Sequence, residues 1–281
     1  MSAERTVAVV TGGGGGMGLA TAKLLGAEHR LVLTDVSADR LDAAVVELNG
    51  LGIEAEWMVG DVTDRSSVDE VMRRAVSLGE LVVVLHTAGV SPQMTDAQRI
   101  VRINALGTVN VTAAFSEHAR QGSRIVNVAS MAGHMVPNAM APRRAYRHAS
   151  SDPDRFMAAM TRRINVLPKS QRPSAAYPIS KHFVIWYSKR MAAALGAKGA
   201  RIVSVSPGSI DTEMGRLEES NGGGALLKLA AIKRLGTVQE IADVLAFCAS
   251  EGASYLTGVD ILCDGGTIAG VGWKDLLKLE R

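Results

Sequence analysis

The sequence predicts an α/β fold: a doubly wound parallel sheet of seven strands in a single domain. Three observations lead there. Short apolar runs alternate along the chain with longer segments of helical periodicity. The runs are apolar at consecutive positions (VAVV, LVLT, LVVVL, RIVNV), as strands are when helices cover both faces of their sheet. The chain has 281 residues, of which 47% are hydrophobic and 21% charged. At that size about three quarters of the unfolded surface can be buried. The composition excludes a disordered chain.

The elements follow in order. Residues 7–11 form the first strand and 17–28 a helix. Strands at 31–35, 54–59 and 81–86 alternate with helices at 38–51 and 65–78. A long helix covers 96–120, and a fifth strand 123–129. After a gap come a helix over 176–198, a strand at 201–206, a helix at 238–250 and a strand at 259–263. Strand–helix–strand units close by right-handed crossovers into a parallel sheet. No internal repeat or linker divides residues 1–281. The stretch 132–175 breaks the rhythm, because a short loop is expected there. It holds one good helix: Asp152 can cap it, Pro153 fits its first turn, and Phe156, Met160, Ile164 and Leu167 share a face.

The first strand runs into TGGGGGMG, Thr11 to Gly18, and then into a helix. Glycines there let backbone N–H groups approach a pyrophosphate, and the helix N-terminus adds positive charge. Thr11, Gly12, Gly16, Met17 and Gly18 are therefore candidate dinucleotide contacts, and the fold becomes Rossmann-type. Asp35 ends the second strand, where a carboxylate can accept from ribose hydroxyls and repel a 2′-phosphate. No arginine follows it immediately, which favours NAD over NADP. Asp61, with Val62 beside it, can receive the adenine amino group; capping the next helix is the structural alternative for Asp61.

Further motifs complete a set. YPISK places Tyr177 and Lys181 four apart, on one helix face. Ser130 ends the fifth strand in RIVNVAS, Asn104 lies in RINALGT, and SPGSIDT follows the sixth strand. With the glycine-rich turn, these five motifs in this order resemble the short-chain dehydrogenases/reductases over nearly the whole chain. The resemblance implies roles. Lys181 holds the nicotinamide ribose and lowers the phenol pKa of Tyr177, which exchanges a proton with the substrate oxygen as a hydride moves. Ser130 stabilises charge on that oxygen. Asn104 holds a water linking Lys181 to solvent. Ala88 and Gly89 pass the adenine ribose, Pro207 and Gly208 shape the turn, the Ile210 backbone binds the carboxamide, and Thr212 binds the carboxamide or pyrophosphate.

Two departures stand out. Where the family shows Asn-Asn-Ala-Gly, this chain has His86-Thr87-Ala88-Gly89, with His86 expected in a structural position. Tyr177 follows Ser130 by 47 positions, where the family has about a dozen, so some 34 residues are inserted beside the active-site mouth. The insertion, 132–175, precedes a helix that relatives use for dimer contact. Five of the chain's twelve methionines lie between Met131 and Met160. They suit a lid over a bulky apolar substrate or a small satellite core. A substrate-binding loop is expected over 213–233, hinged at Gly222–Gly224, and the tail from Gly272 extends either the pocket wall or an oligomer contact.

Charge is unevenly spread. The net charge is +3. Between Met131 and Ala176 eight basic residues, among them Arg143, Arg144 and Arg147, face only Asp152 and Asp154, a net of +6; the remainder carries −3. This is either a solvated basic face or an attractor for an anionic substrate tail. It is no nucleic-acid footprint. Cys248 and Cys263 lack the spacing of a metal or disulfide framework. No apolar run is long enough for a membrane span, and the early first strand leaves no room for a signal peptide. A cytoplasmic homo-oligomer, dimer or tetramer, is expected, with NAD as cofactor, no metal, and a small-molecule alcohol or ketone as substrate. The expected reaction interconverts a secondary alcohol and a ketone, with a bulky hydrophobic substrate. An NADPH-dependent 3-oxoacyl thioester reductase is the alternative, and a catalytically silent nucleotide-binding protein a third.

Overall fold

Seven parallel strands lie in the order β3-β2-β1-β4-β5-β6-β7 in the computed structural model, which describes residues 6–218 and 227–270. They are β1 (Thr6–Thr11), β2 (Arg30–Asp35), β3 (Ala55–Val59), β4 (Glu80–His86), β5 (Arg124–Val128), β6 (Arg201–Pro207) and β7 (Asp260–Cys263). The central strand β1 shows why the runs are uninterrupted. Val7 and Val9 enter one core cluster and Ala8 and Val10 another, and all four are fully buried. Val9 pairs with Val32 on one side and Val84 on the other. The order reverses between β1 and β4, which opens a crevice at the carboxyl ends of these strands.

Helices α1 (Gly16–Leu25), α2 (Ala38–Gly50) and α3 (Arg65–Leu78) make the first crossovers. Ser37 caps α2 and Asp64 caps α3, each accepting a first-turn N–H. Asp64 therefore takes the capping role considered for Asp61. The helix expected over 96–120 is interrupted. Asp96 caps α4 (Ala97–Val101), a π-turn spans Arg102–Leu106, and α5 (Gly107–His118) resumes. The wider turn falls where Asn104 is held inward by backbone hydrogen bonds described below.

The insertion is helical: α6 (Met131–His134), α7 (Arg143–Tyr146) and α8 (Pro153–Asn165). Asp152 caps α8 by accepting from Arg155 N–H at 2.9 Å. Phe156, Met157, Met160 and Ile164 line one side of α8 and are buried; Leu167 lies beyond the helix and is only partly covered. They join Ile100, Val101 and Leu106 with Phe183 and Tyr187 in a third core cluster. Phe156 stacks at a tilt on Phe183 with centroids 4.8 Å apart, and Tyr146 meets Phe183 edge-on at 5.1 Å. The insertion thus covers α4 and the long helix α9 (Arg172–Gly196). That helix begins four residues before the expected 176, because Pro173 fits its first turn.

A further helix, Glu213–Glu218, opens the expected 213–233 loop. The Gly222–Gly224 hinge and the tail from Gly272 lie outside the described residues.

Phe156 is fully buried and belongs to the insertion alone. Phe156→Ala is expected to lower the unfolding free energy by about 3 kcal/mol, read as a fall in denaturant midpoint at unchanged slope.

Candidate active site

The glycine-rich turn crosses the ends of β1 and β4. Gly12 has φ +68°, and a Cβ there would lie 2.8 Å from the Ala88 nitrogen. A Cβ on Gly18 would lie 2.4 Å from the Gly12 oxygen, so α1 can approach the strand only without one. Gly15 and Gly16 face open space instead. No side chain caps α1, unlike α2 and α3. Its first-turn N–H groups therefore point at a place that an anion fits, as the pyrophosphate of a dinucleotide would. Met17 is half-buried at the same turn.

Asp35 stands beside that place, with its Oδ2 3.3 Å from where a Gly14 Cβ would sit. Arg40, on the first turn of α2, lies closer still: its Cβ would be 2.8 Å from the same point. Its guanidinium pairs with Glu213 at 3.2 Å. Arg40 was missed in the sequence, because four residues separate it from Asp35 and only the helical turn brings them together. Asp61 is exposed and its carboxylate accepts from Thr63 N–H at 2.8 Å; Val62 is buried against Gly107.

Lys181 is buried, and its Nζ donates to the Val128 carbonyl at the end of β5 at 3.0 Å. Tyr177 lies one turn earlier on α9, with Lys181 Nζ 6.0 Å from its ring centre. Pro178, between them, deprives the Ser174 carbonyl of its helical partner. Ser130 caps α6, its Oγ accepting from Ala132 N–H at 3.2 Å, so its own proton can go elsewhere. Gly133 lets α6 press against α9: a Cβ there would lie 2.8 Å from the His182 nitrogen. Asn104 Oδ1 accepts from Val90 N–H at 2.9 Å, while its Nδ2 donates to the Val90 carbonyl at 3.0 Å and to Ser180 Oγ at 3.2 Å. The space over Gly89 is shared, since a Cβ there would lie 3.2 Å from Asn104 Oδ1 and 3.3 Å from Lys181 Nζ. The fold therefore brings Asn104, Lys181 and Gly89 to one spot, with Ser130 two residues beyond the Val128 carbonyl that holds Lys181.

After β6 and Pro207, Gly208 runs so close to Asp264 that a Cβ would lie 2.6 Å from its Cα. Ile210 is buried and bridges to Gly236, and Thr212 Oγ1 accepts from Gly215 N–H at 2.9 Å.

The model of the short chain dehydrogenase family matches residues 6–152, and that of the enoyl-(acyl carrier protein) reductases residues 158–267. The chain belongs to the short-chain dehydrogenase/reductase family. It is an oxidoreductase acting on CH–OH groups. A short-chain dehydrogenase/reductase of Alternaria brassicicola, bsc3, is 30% identical over 92% of this chain and 94% of its own. A 3-oxoacyl-(acyl-carrier-protein) reductase of Thermotoga maritima is 29% identical over 95% of this chain and 100% of its own. A solved short chain dehydrogenase from Burkholderia cenocepacia J2315, in complex with NADP, superposes with a TM-score of 0.74 at 25% identity, covering 94% of this chain and 98% of that one.

His86, expected from the sequence in a structural position, has a defined place in the structure. Thr108 Oγ1 donates to the Asn104 carbonyl at 2.7 Å, so it accepts at His86 Nε2, 3.1 Å away. The proton of His86 therefore sits on Nε2. Its Nδ1 accepts from Thr11 Oγ1 at 2.7 Å, and that oxygen receives the Ala88 N–H at 3.4 Å. The Thr11 hydroxyl is thus committed inward, tying the glycine-rich turn to the π-turn that carries Asn104. Among the described residues no helix is long and apolar enough to cross a membrane.

Burial, and secondarily the Lys181 charge, push the His86 imidazole down to about 3. An unfolded imidazole titrates near 6.5. As pH falls between those values the unfolded chain binds the extra proton. Stability from this group is therefore complete above about pH 6.5 and is lost on acidification by about 1.4 kcal/mol per pH unit. Unfolding free energies measured from about pH 7 to 4.5 should fall less steeply in His86→Gln, by about one proton's worth.

Proposed function

We propose that this protein is an NAD(H)-dependent oxidoreductase interconverting a secondary alcohol and a ketone, with a bulky hydrophobic substrate. The observation that carries this reading is the convergence of Lys181, Asn104 and Ser130 at the ends of β4 and β5, beside the uncapped N-terminus of α1. A nicotinamide cofactor, when bound, supplies the hydride acceptor or donor. Gly12, Gly16, Met17 and Gly18 hold its pyrophosphate, and Asp35 its adenosine ribose. Ala88 and Gly89 pass the ribose, and Asp61 and Val62 flank the adenine. Ile210 and Thr212 bind near the nicotinamide, beyond the turn of Pro207 and Gly208. Thr11 contributes through the turn it anchors.

In the oxidative direction Tyr177 takes the hydroxyl proton as the carbinol carbon loses its hydride. Lys181 favours the phenolate by its charge and orients the nicotinamide ribose. Ser130 donates to the reacting oxygen, which its capping bond leaves it able to do. A water serving Lys181 would use the second lone pair of the Asn104 main-chain carbonyl, the first accepting from Thr108 Oγ1, because the amide is committed to Val90 and Ser180. The insertion, rooted at Ser130 and returning at Tyr177, is proposed to form one wall of the substrate entrance. A homo-oligomer would form on surfaces other than the α4–α9 face it covers.

NADP-dependent reduction of a 3-oxoacyl thioester is the second reading, favoured by Arg40 beside Gly14. Calorimetry separates the two. NADH is expected to bind at least about tenfold more tightly than NADPH, with the difference shrinking in Asp35→Ala; tighter NADPH binding that Arg40→Ala abolishes would overturn the NAD assignment and favour the second reading on cofactor. Tyr177→Phe is expected to retain NADH binding and lose about a hundredfold or more in kcat with the best alcohol found by screening. Undiminished turnover in that variant would refute the mechanism.

A further inference from the structure

The insertion presents a groove that takes no part in the site above. It encloses about 860 Å³ between α7 and α8. On α8 and its C-terminal cap residue its wall is a stripe: Arg155, Ala159, Arg162 and Val166 recur at i, i+4, i+7 and i+11, with Ala158 and Arg163 beside them. Over eleven residues the stripe runs about 17 Å, three helical turns. The opposite side of α8 is spent in the core. On α7 and just beyond it, Arg144 and His148 flank Ala145.

The charges in this groove are unanswered. Among the described residues none of Arg144, Arg155, Arg162 and Arg163 has a carboxylate within 4 Å, whereas Arg65, Arg74, Arg124, Arg216 and Arg234 all do. Val166 is 72% exposed, and Ala158 and Ala159 are small enough for another backbone to come close.

We propose that this groove docks an acidic amphipathic helix of a partner protein. Apolar side chains of such a helix would lie on Ala158, Ala159 and Val166. Its Asp and Glu residues, spaced three and four apart, would meet the arginines on both walls. Nucleic acid fits less well, since no Phe, Tyr or Trp lines the groove for bases to stack on. A bilayer fits less well too, because the surface is concave and offers no projecting Trp, Phe or Leu to insert. None of the lining residues belongs to the catalytic set, so docking here and hydride transfer are separable.

The test uses the full chain and a labelled, lactam-stapled helical peptide of about 16 residues. One side of the peptide carries Glu at i, i+3, i+4 and i+7 spacing, and the adjoining stripe carries Leu and Ala. Fluorescence anisotropy should show saturable binding that weakens as salt is raised. A scrambled peptide of the same composition should bind at least about tenfold more weakly. Arg155→Glu/Arg162→Glu should lose about tenfold or more, and so should Ala158→Trp, which keeps every charge but fills the floor. NADH affinity and melting temperature, measured on each variant, report that the fold is intact. The charge-reversed double variant should in turn prefer the same peptide with Lys in place of Glu. Equal binding of the scrambled peptide, indifference to these substitutions, absence of saturable binding, or tighter binding of single-stranded DNA or phosphatidylserine vesicles would each overturn the proposal.

Discussion

A buried ammonium needs an oxygen, and the placing of this site depends on where Lys181 finds one. Leaving that charge unpartnered in the interior would cost several kcal/mol. The carbonyl it meets belongs to Val128, the last residue of β5. The bond therefore fixes the rotation and height of α9 against the carboxyl end of the sheet. Other contacts follow from that setting. Gly133 can touch the His182 backbone, Ser180 can meet the Asn104 amide, and Tyr177 stands one turn above Lys181. The same helix gives Phe183 and Tyr187 to the insertion, so the catalytic helix and the added segment share one core.

The scaffold was legible because its signals are local and repeated. Val7 to Val10 read as a strand buried on both faces, and they are. The strand–glycine–helix order of Thr11 to Gly18 likewise needs only neighbours to be interpreted. What escaped depends on contacts between distant residues. The π-turn is set by Asn104 reaching back to Val90, and no periodicity over 96–120 announces it. Arg40 approaches Gly14 only because α2 starts with a capped turn at Ser37. The sequence marked His86 as a departure, but its proton position follows only from Thr108, 22 residues away, bonding an Asn104 carbonyl.

Tyr146 shows how the insertion reaches the chemistry without lining it. Its hydroxyl donates to the Ile179 carbonyl at 3.1 Å, and so accepts from His182 Nδ1 at 3.2 Å. Ile179 and His182 flank Ser180 and Lys181 on the helix already weakened by Pro178. A buried phenol from the added segment thus braces the turn that lies between Tyr177 and Lys181. Burial holds the Tyr146 phenol well above its usual titration range and the His182 imidazole below its own, so both stay neutral and the brace carries no net charge.

The two sides of α8 then explain why the insertion is both apolar and basic. Phe156, Met157, Met160 and Ile164 attach it, and burying such side chains contributes about 1.5–3 kcal/mol each. Its arginines contribute little to that attachment: exposed charges without partners add little, and Arg162 and Arg163 gain only the modest attraction of the last helical turn. Folding therefore accounts for Arg155, Arg162 and Arg163 only in small part. The core needs α8 only on the side that meets α4 and α9, and the other side is left to meet solvent or a partner. Four of the segment's eight basic residues, Arg144, Arg155, Arg162 and Arg163, line the groove between α7 and α8, where they do little for stability and most for long-range attraction of an acidic surface.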